Sequence, residues 1–207
     1  MPKLTLALWL LYLAISLGLR ILIQVRMTGR TGFVLSRERS SPLQLFASAL
    51  FVGSLFAGLA SPLLALVFPS HRMWAPLIWT GSPTLAAVGG AVYLAGVALA
   101  FTAQLTLGPS WRIGVDPNER TELIMQGAFR VVRNPIFTAL FATSLGLAML
   151  CSTPLAWFSC AVQLIALEIQ VRRVEEPYLA RVHGEAYRRY AARVGRFLPG
   201  IGLSRTG

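Results

Sequence analysis

Two polar stretches of this 207-residue chain carry side chains able to do chemistry. Residues 127–135 read GAFRVVRNP, and residues 172–199 read RRVEEPYLARVHGEAYRRYAARVGRFLP. Arg130 and Arg133 stand just before an apolar run, a place where arginine often does no more than flank a membrane segment. Here Asn134 and Pro135 follow directly. A residue before proline is pushed out of the helical region, and proline suits a first helical position. Asn134 can therefore cap a helix or aim its amide at a ligand, and Gly127 suits a turn or a close backbone approach. Glu175 and Glu176 are adjacent, so on a helix they point about 100° apart and do not face each other as a glycosidase pair does. One is expected to pair with Arg172 or Arg173 while the other faces inward. Glu168 lies inside an apolar run, where an acid is a functional candidate by default; Arg172, four residues on, makes a simple ion pair an equal reading. His183 sits at an expected break before Gly184. There is no Ser-His-Asp set, no phosphate loop and no GxGxxG after a strand. The reactive group must then come from a bound cofactor, with the protein supplying binding and orientation.

The elements that position these residues are apolar. Hydrophobic residues make up 55% of the chain and charged residues only 13%, against roughly 25% charged in a soluble domain. The deficit falls in long runs, which defines an all-α polytopic membrane protein. The formal net charge is +11, and Lys3 is the only lysine. The arginines cluster just outside the apolar runs, so topology and anionic lipid account for them better than nucleic acid does. Cys151 and Cys160, with His71 and His183, lack metal-ligand spacing, so no metal site is expected.

Five apolar segments stand out: residues 4–25, 43–68, 85–107, 136–150 and 155–171. The first three are long enough to span a bilayer, which takes roughly 20 residues. The first is too long for a signal-peptide core and reads as a retained helix. The last two are joined by CSTP at 151–154, with Pro154 and its Ser-Thr cap beginning the second arm of a helical hairpin. Connections alternate between Arg-rich (Arg26, Arg30, Arg37, Arg39; Arg112, Arg120, Arg130, Arg133; the tail from Arg172 to Arg205) and Arg-poor (Arg72; none in the CSTP turn). The positive-inside rule then puts the N-terminus outside and the C-terminus in the cytoplasm. Arg20 is expected to snorkel to the interface. Gly53, Ala57 and Gly58, and Gly96 with Ala100, have the small-residue spacing of helix packing. In residues 186–199 arginines alternate with Tyr187, Tyr190, Val194, Phe197 and Leu198, which predicts an amphipathic interfacial helix with its aromatics at headgroup level. The chain reads as one membrane domain, with N-terminal helices over 1–110 and a cofactor-binding region over 111–199. Both polar stretches fall on the same face, held together by the hairpin.

The pattern G-x-F-R-x-V-R-N-P-x-F, a helical hairpin, and then E-E-x-x-L with G-x-x-Y-x-x-Y-x-x-x-V-x-R-F-L-P resembles the isoprenylcysteine carboxyl methyltransferase family. The Asn-Pro and Glu-Glu-Pro pairs also resemble the related phospholipid N-methyltransferases. The likeness covers roughly residues 111–199. It implies an S-adenosylmethionine-dependent membrane methyltransferase acting on a lipid or lipid-linked carboxylate or amine, in a bacterial inner membrane. Carried over by motif position, Gly127, Arg133, Asn134, Pro135 and Phe137 would line the cofactor pocket from one side. Glu175, Glu176, Leu179, Tyr187, Tyr190 and Pro199 would line it from the other. Arg133, Asn134, Glu175 and Glu176 would be its catalytic residues. The family usually has His at the position of Asn134 and Tyr at that of Phe137. Asn keeps a hydrogen-bonding group but does not titrate near neutrality, and Phe lacks the hydroxyl. Two other readings compete: a sterol-reductase-like enzyme using a reduced nicotinamide cofactor, and a non-catalytic lipid-binding protein.

Overall fold

The computed structural model describes residues 1–32, 41–70, 77, 81–111 and 122–204. Arg37, Arg39, His71, Arg72, Arg112, Arg120 and Arg205 lie outside the described residues. All described secondary structure is helical apart from two isolated bridges. A first span of 27 residues, Pro2–Thr28, comprises α1 (Pro2–Leu13), a π-helical stretch (Ala14–Leu19) and α2 (Arg20–Thr28). It is followed by α3 (Pro42–Val67), α4 (Pro83–Leu107), α5 (Pro135–Cys151) and α6 (Pro154–Gln170). A π-helical turn, Val171–Glu175, leads into α7 (Glu176–Arg193). Four of these helical stretches are long and apolar enough to cross a membrane, and α5 is a shorter apolar helix. The protein is a multi-pass membrane protein.

The five apolar helices all begin on proline, whose fixed φ and missing N–H suit a first helical position. Three have a hydroxyl cap just before it: Ser41 accepts from the Gln44 N–H at 3.2 Å, Ser82 from Leu85 at 3.3 Å, and Thr153 from Ala156 at 3.1 Å. The sequence therefore states where each span starts. α5 has 17 residues, a rise of about 26 Å against a hydrocarbon core of roughly 30 Å. The polar segment before it is thus drawn to the membrane boundary.

α4 and α5 pack backbone to backbone. A Cβ on Gly146 would stand 2.6 Å from the Gly89 carbonyl oxygen, and one on Gly96 would stand 2.8 Å from the Thr143 nitrogen. The expected role of Gly96 and Ala100 in packing holds, with Ala100 and Ala139 fully enclosed. On α3 only half of the expectation holds. Gly58 faces Trp9 and Ser159, whereas a Cβ on Gly53 would meet open space, because Gly53 lies on the outward side of the helix.

The first span is turned inside out relative to a soluble amphipathic helix. Its buried residues are Thr5, Trp9, Tyr12, Ser16, Arg20 and Gln24, all polar or aromatic at spacings of three or four. Leu4, Leu10, Leu11, Leu17, Leu19 and Leu22 face outward, as a lipid solvent requires. The polar face runs parallel to α4 in matched register. Tyr93 Oη donates to the Leu8 carbonyl at 2.8 Å and Gln104 Nε2 to the Ser16 carbonyl at 3.1 Å. Arg20 Nη2 donates to Gly108 O at 2.5 Å, and Gln24 Nε2 to Pro109 O at 2.8 Å. Arg20 therefore does not snorkel: it is 2% exposed. It turns inward because the last carbonyls beyond α4 lack intrahelical donors and attract a cation.

The expected helix over 186–199 ends early, at Arg193. Beyond it the chain folds back as a hook over residues 194–204. Arg196 N–H bonds Ile201 O at 2.7 Å, and Ser204 N–H returns to Ala191 O at 2.9 Å. Tyr187 and Tyr190 are buried rather than set at a headgroup surface, because they face a partner, the 123–129 segment, that local periodicity does not reveal.

Candidate active site

The two polar stretches meet at one end of the bundle. Asn134 stands before Pro135 with φ −126 and ψ 59, outside the helical region that proline disfavours, and its amide does not cap α5. Instead Asn134 Nδ2 and its own backbone N–H both donate to the Arg196 carbonyl, at 3.2 and 3.1 Å. The neighbouring Arg133 N–H donates to Gly195 O at 2.8 Å, and Val132 forms a parallel bridge with Gly195. The RNP segment and the C-terminal hook thus run side by side. Thr138 Oγ1 adds a bond to Phe197 O at 2.9 Å. Gly195 must be glycine: a Cβ there would lie 2.0 Å from the Leu198 carbonyl oxygen.

At the centre is Arg133, whose side chain is 2% exposed. Its Nη1 donates to Ala191 O at 2.6 Å and Val194 O at 2.8 Å. Its Nη2 donates to Glu176 Oε1 at 2.7 Å and Gly202 O at 2.9 Å. Glu176 also accepts a two-pronged contact from Arg196, Nε to Oε1 and Nη2 to Oε2, each at 2.8 Å. Burial alone would raise the Glu176 carboxyl, but the hydrogen bonds from Arg196 and Arg133 outweigh it and hold it below the usual range. Hydrogen bonding to Glu176 raises Arg196 in turn. The expected pairing of Glu175 or Glu176 with Arg172 or Arg173 is replaced by these long-range partners. The π-helical turn re-aims the acids, and Arg172 is taken by Glu168. That i, i+4 pair is the simple ion-pair reading of Glu168, and it sits partly exposed.

Glu175 differs from its neighbour. It has no guanidinium partner among the described residues, and burial pushes its carboxyl up to about 7. A hydrogen bond with Gln170 opposes the rise and the charge of Glu176 adds to it. Tyr187 and Tyr190 form an edge-on pair with ring centres 6.2 Å apart, packed with Leu123, Leu179, Ala180 and Val194. Tyr190 Oη donates to the Phe129 carbonyl at 2.6 Å, which ties α7 to the GAFR turn. Burial raises both phenols, so both stay neutral. Gly127 has φ +56, and a Cβ on it would stand 2.8 Å from Thr106 Oγ1, so the turn needs glycine both for its dihedral and for its approach to α4. Phe137 is half-buried, while Gly127 and Pro199 are exposed. His183 precedes the kink at Gly184 (φ 54, ψ −126), where expected, and its Nε2 is buried without a partner among the described residues.

These residues suit the two-charged amino-acid end of S-adenosylmethionine and its aromatic base. Two guanidiniums on one carboxylate leave the Arg133–Glu176–Arg196 knot with a surplus positive charge. Arg133 Nε is buried without a partner among the described residues, so one donor remains for an anionic oxygen. Glu175 supplies a carboxylate not committed to an arginine, and Tyr187, Tyr190 and Leu179 supply an apolar wall. Arg196 is the residue that motif reading passed over. It lies in the V-x-R-F-L-P motif, but its charge reads locally as one more flanking arginine.

Fold and site define the class: a polytopic helical membrane protein with an ionic, aromatic-walled site where its last helices meet the C-terminal hook. The phospholipid methyltransferase family profile matches residues 84–186, which takes in α4 through most of α7. The chain belongs to this family of membrane methyltransferases. No curated protein is significantly similar to it. Among solved structures, that of the eukaryotic intramembrane Ras methyltransferase ICMT (isoprenylcysteine carboxyl methyltransferase) superposes with a TM-score of 0.61 at 21% identity. The alignment covers 95% of this chain and 67% of that one, a likeness of fold.

Proposed function

We infer that the protein transfers a methyl group from S-adenosylmethionine to a lipid or lipid-linked acceptor, with the site on the cytoplasmic face of a bacterial inner membrane. The observation that carries this reading is the surplus-positive knot of Arg133, Glu176 and Arg196 beside Asn134; Arg133, Asn134 and Glu176 fall within the segment matched by the methyltransferase family, and Arg196 joins them from the hook beyond it. Arg133 Nε–H and the field of the knot would hold the cofactor's carboxylate. Glu175 and the Asn134 side-chain oxygen would face its ammonium. Phe137, Leu179, Tyr187 and Tyr190 would exclude water around its apolar parts, and Gly127, Pro135 and Pro199 would shape the rim.

When bound, the cofactor supplies a methyl group already activated on a sulfonium, so the chain's work is alignment and desolvation. Glu176 acts by fixing both arginines rather than by titrating. Among the described acids of the site, Glu175 is the one whose carboxyl is pushed up to about 7 by burial. It can take the proton of an acceptor that arrives as an ammonium, which favours an amine over a carboxylate. Asn134, with no proton to exchange, orients. Isothermal titration of the purified protein with S-adenosylmethionine tests the reading: saturable binding lost in Arg133→Ala is expected, and no binding to folded protein refutes it. Radiolabelled methyl transfer into membrane lipids, lost in Glu175→Ala, identifies the acceptor and excludes a non-catalytic role.

A further inference from the structure

A second polar cluster lies at the same end of the bundle, between the first span and α4. Arg20, Gln24 and Gln104 are 2%, 3% and 5% exposed. Each spends part of its hydrogen-bonding capacity on a backbone carbonyl. The rest is unspent. Arg20 Nε and Nη1, Gln24 Oε1 and Gln104 Oε1 are buried without partners among the described residues. Arg20 also stacks on Trp111, 4.7 Å from the ring centre, which offsets part of the cost of a buried cation but makes no in-plane hydrogen bond. Capping the end of α4 explains one guanidinium nitrogen and leaves two guanidinium nitrogens and two amide oxygens unpaired on the facing sides of the first span and α4. Buried polar groups of this kind are paired in folded proteins, and in a membrane the cost of leaving them unpaired is higher.

The complement of this set is a group with an anionic oxygen, for the guanidinium, beside a hydroxyl or N–H, for the two amide oxygens. A phosphodiester of ethanolamine has both, the oxygens on its phosphate and the N–H groups on its ammonium. Its position is suited to an acceptor. Gln104 and the carbonyls of Gly108 and Pro109 lie on one side of the end of α4, and Thr106, two residues along, touches Gly127 of the candidate active site. A ligand at Arg20 would thus be about one helix diameter, roughly 10 Å, from the methyl-transfer site.

We propose that Arg20, Gln24 and Gln104 form an oxyanion subsite that holds the phosphate of a lipid head group beside the methyl-transfer site. Calling that lipid the acceptor rests on the methyltransferase reading; the subsite itself does not. The test uses the full chain in detergent without S-adenosylmethionine. Native mass spectrometry measures retention of dioleoyl phosphatidylethanolamine, of diolein, which lacks the phosphate, and of inorganic phosphate. Wild type is expected to retain the phospholipid at least tenfold more than diolein, and Arg20→Gln to lose that preference while Arg20→Lys keeps part of it. Competition by millimolar phosphate assigns the site to the bare oxyanion; no competition assigns it to the intact head group. Equal retention by wild type and Arg20→Gln, or of diolein and phospholipid, overturns the proposal. Should Arg20→Gln fail to fold, Gln104→Glu is read instead. It gives Arg20 an internal carboxylate and is expected to expel the phospholipid; unchanged retention overturns the proposal equally. Titration with S-adenosylmethionine runs in parallel. Its failure with intact phospholipid retention would refute the methyltransferase reading alone.

Discussion

Replacing Arg133 with Met removes a guanidinium that holds three main-chain carbonyls and a carboxylate at once. The side chain keeps much of its volume, so the loss is one of bonds. Glu176 retains both contacts from Arg196, so it is not left as a bare charge. The carbonyls of Ala191, Val194 and Gly202 lose a charged donor, each bond being worth about 1.5–3 kcal/mol. These do not add, because the hook can swing out and recover water once the clamp is gone. About 3–5 kcal/mol is therefore expected, in line with breaking a buried ion pair. It should fall on residues 194–204 rather than on the spans, which are held by α4–α5 packing. At about 1.4 kcal/mol per decade, the amides of Arg196 and Ser204 should exchange with deuterium about a hundredfold faster or more, with exchange in α5 and α6 unchanged. Mass-spectrometric hydrogen exchange on detergent-solubilised protein reads this directly. Protection of the hook within threefold of wild type would refute the clamp.

Glu175 has a folded-state pKa raised to about 7 from an ordinary 4.5. The folded form thus binds more protons between those values, and its contribution to stability is lost as pH rises from about 4.5 through 7. Glu175→Gln should flatten the fall in melting temperature over that window, and methyl transfer to an amine by the wild type should rise with pH through 7. Gly146→Ala would drive a methyl group into the Gly89 carbonyl and should cost about 1–3 kcal/mol, measured as a lower melting temperature in detergent. Tyr190→Phe removes the 2.6 Å bond to Phe129 O and should cost about 1 kcal/mol, with faster exchange in the 127–130 turn as its marker.

The starts of α5 and α6 were legible because Pro135, and Pro154 with its hydroxyl cap, act over three or four residues; the other spans were legible as apolar runs. The α4–α5 interface was legible in part, through Gly96 and Ala100, since small residues at helical spacing have a local meaning. Glu176 was legible as a site residue but not in its partners: Arg133 is 43 residues away and Arg196 is 20, and the nearer Arg172 and Arg173 offered a cheaper local pairing. The hook was misread for the same reason. Arginines and aromatics at helical spacing describe an interfacial helix equally well until the 123–129 segment is known to cover Tyr187 and Tyr190. Arg20 read as a snorkelling residue because nothing near it in sequence announces the carbonyls of Gly108 and Pro109.

The polar register between the first span and α4 bears on how the chain is made. The partners of Leu8, Ser16, Arg20 and Gln24 lie 85 to 88 residues downstream. A nascent first span therefore reaches the bilayer with Arg20, Gln24 and Ser16 exposed on one side, and it stays so until α4 has been synthesised. At ribosomal speeds of about 5–20 residues per second, that wait lasts several seconds. A guanidinium costs about 2.5–3.5 kcal/mol on insertion at a helix centre and less toward an end, where Arg20 lies, with Gln24 and Ser16 adding to it. The first span is thus expected to linger beside the insertion machinery and to enter lipid together with α4. Swapping Arg20 and Gln24 for leucine should release it early, as a crosslinking time course on stalled chains would record.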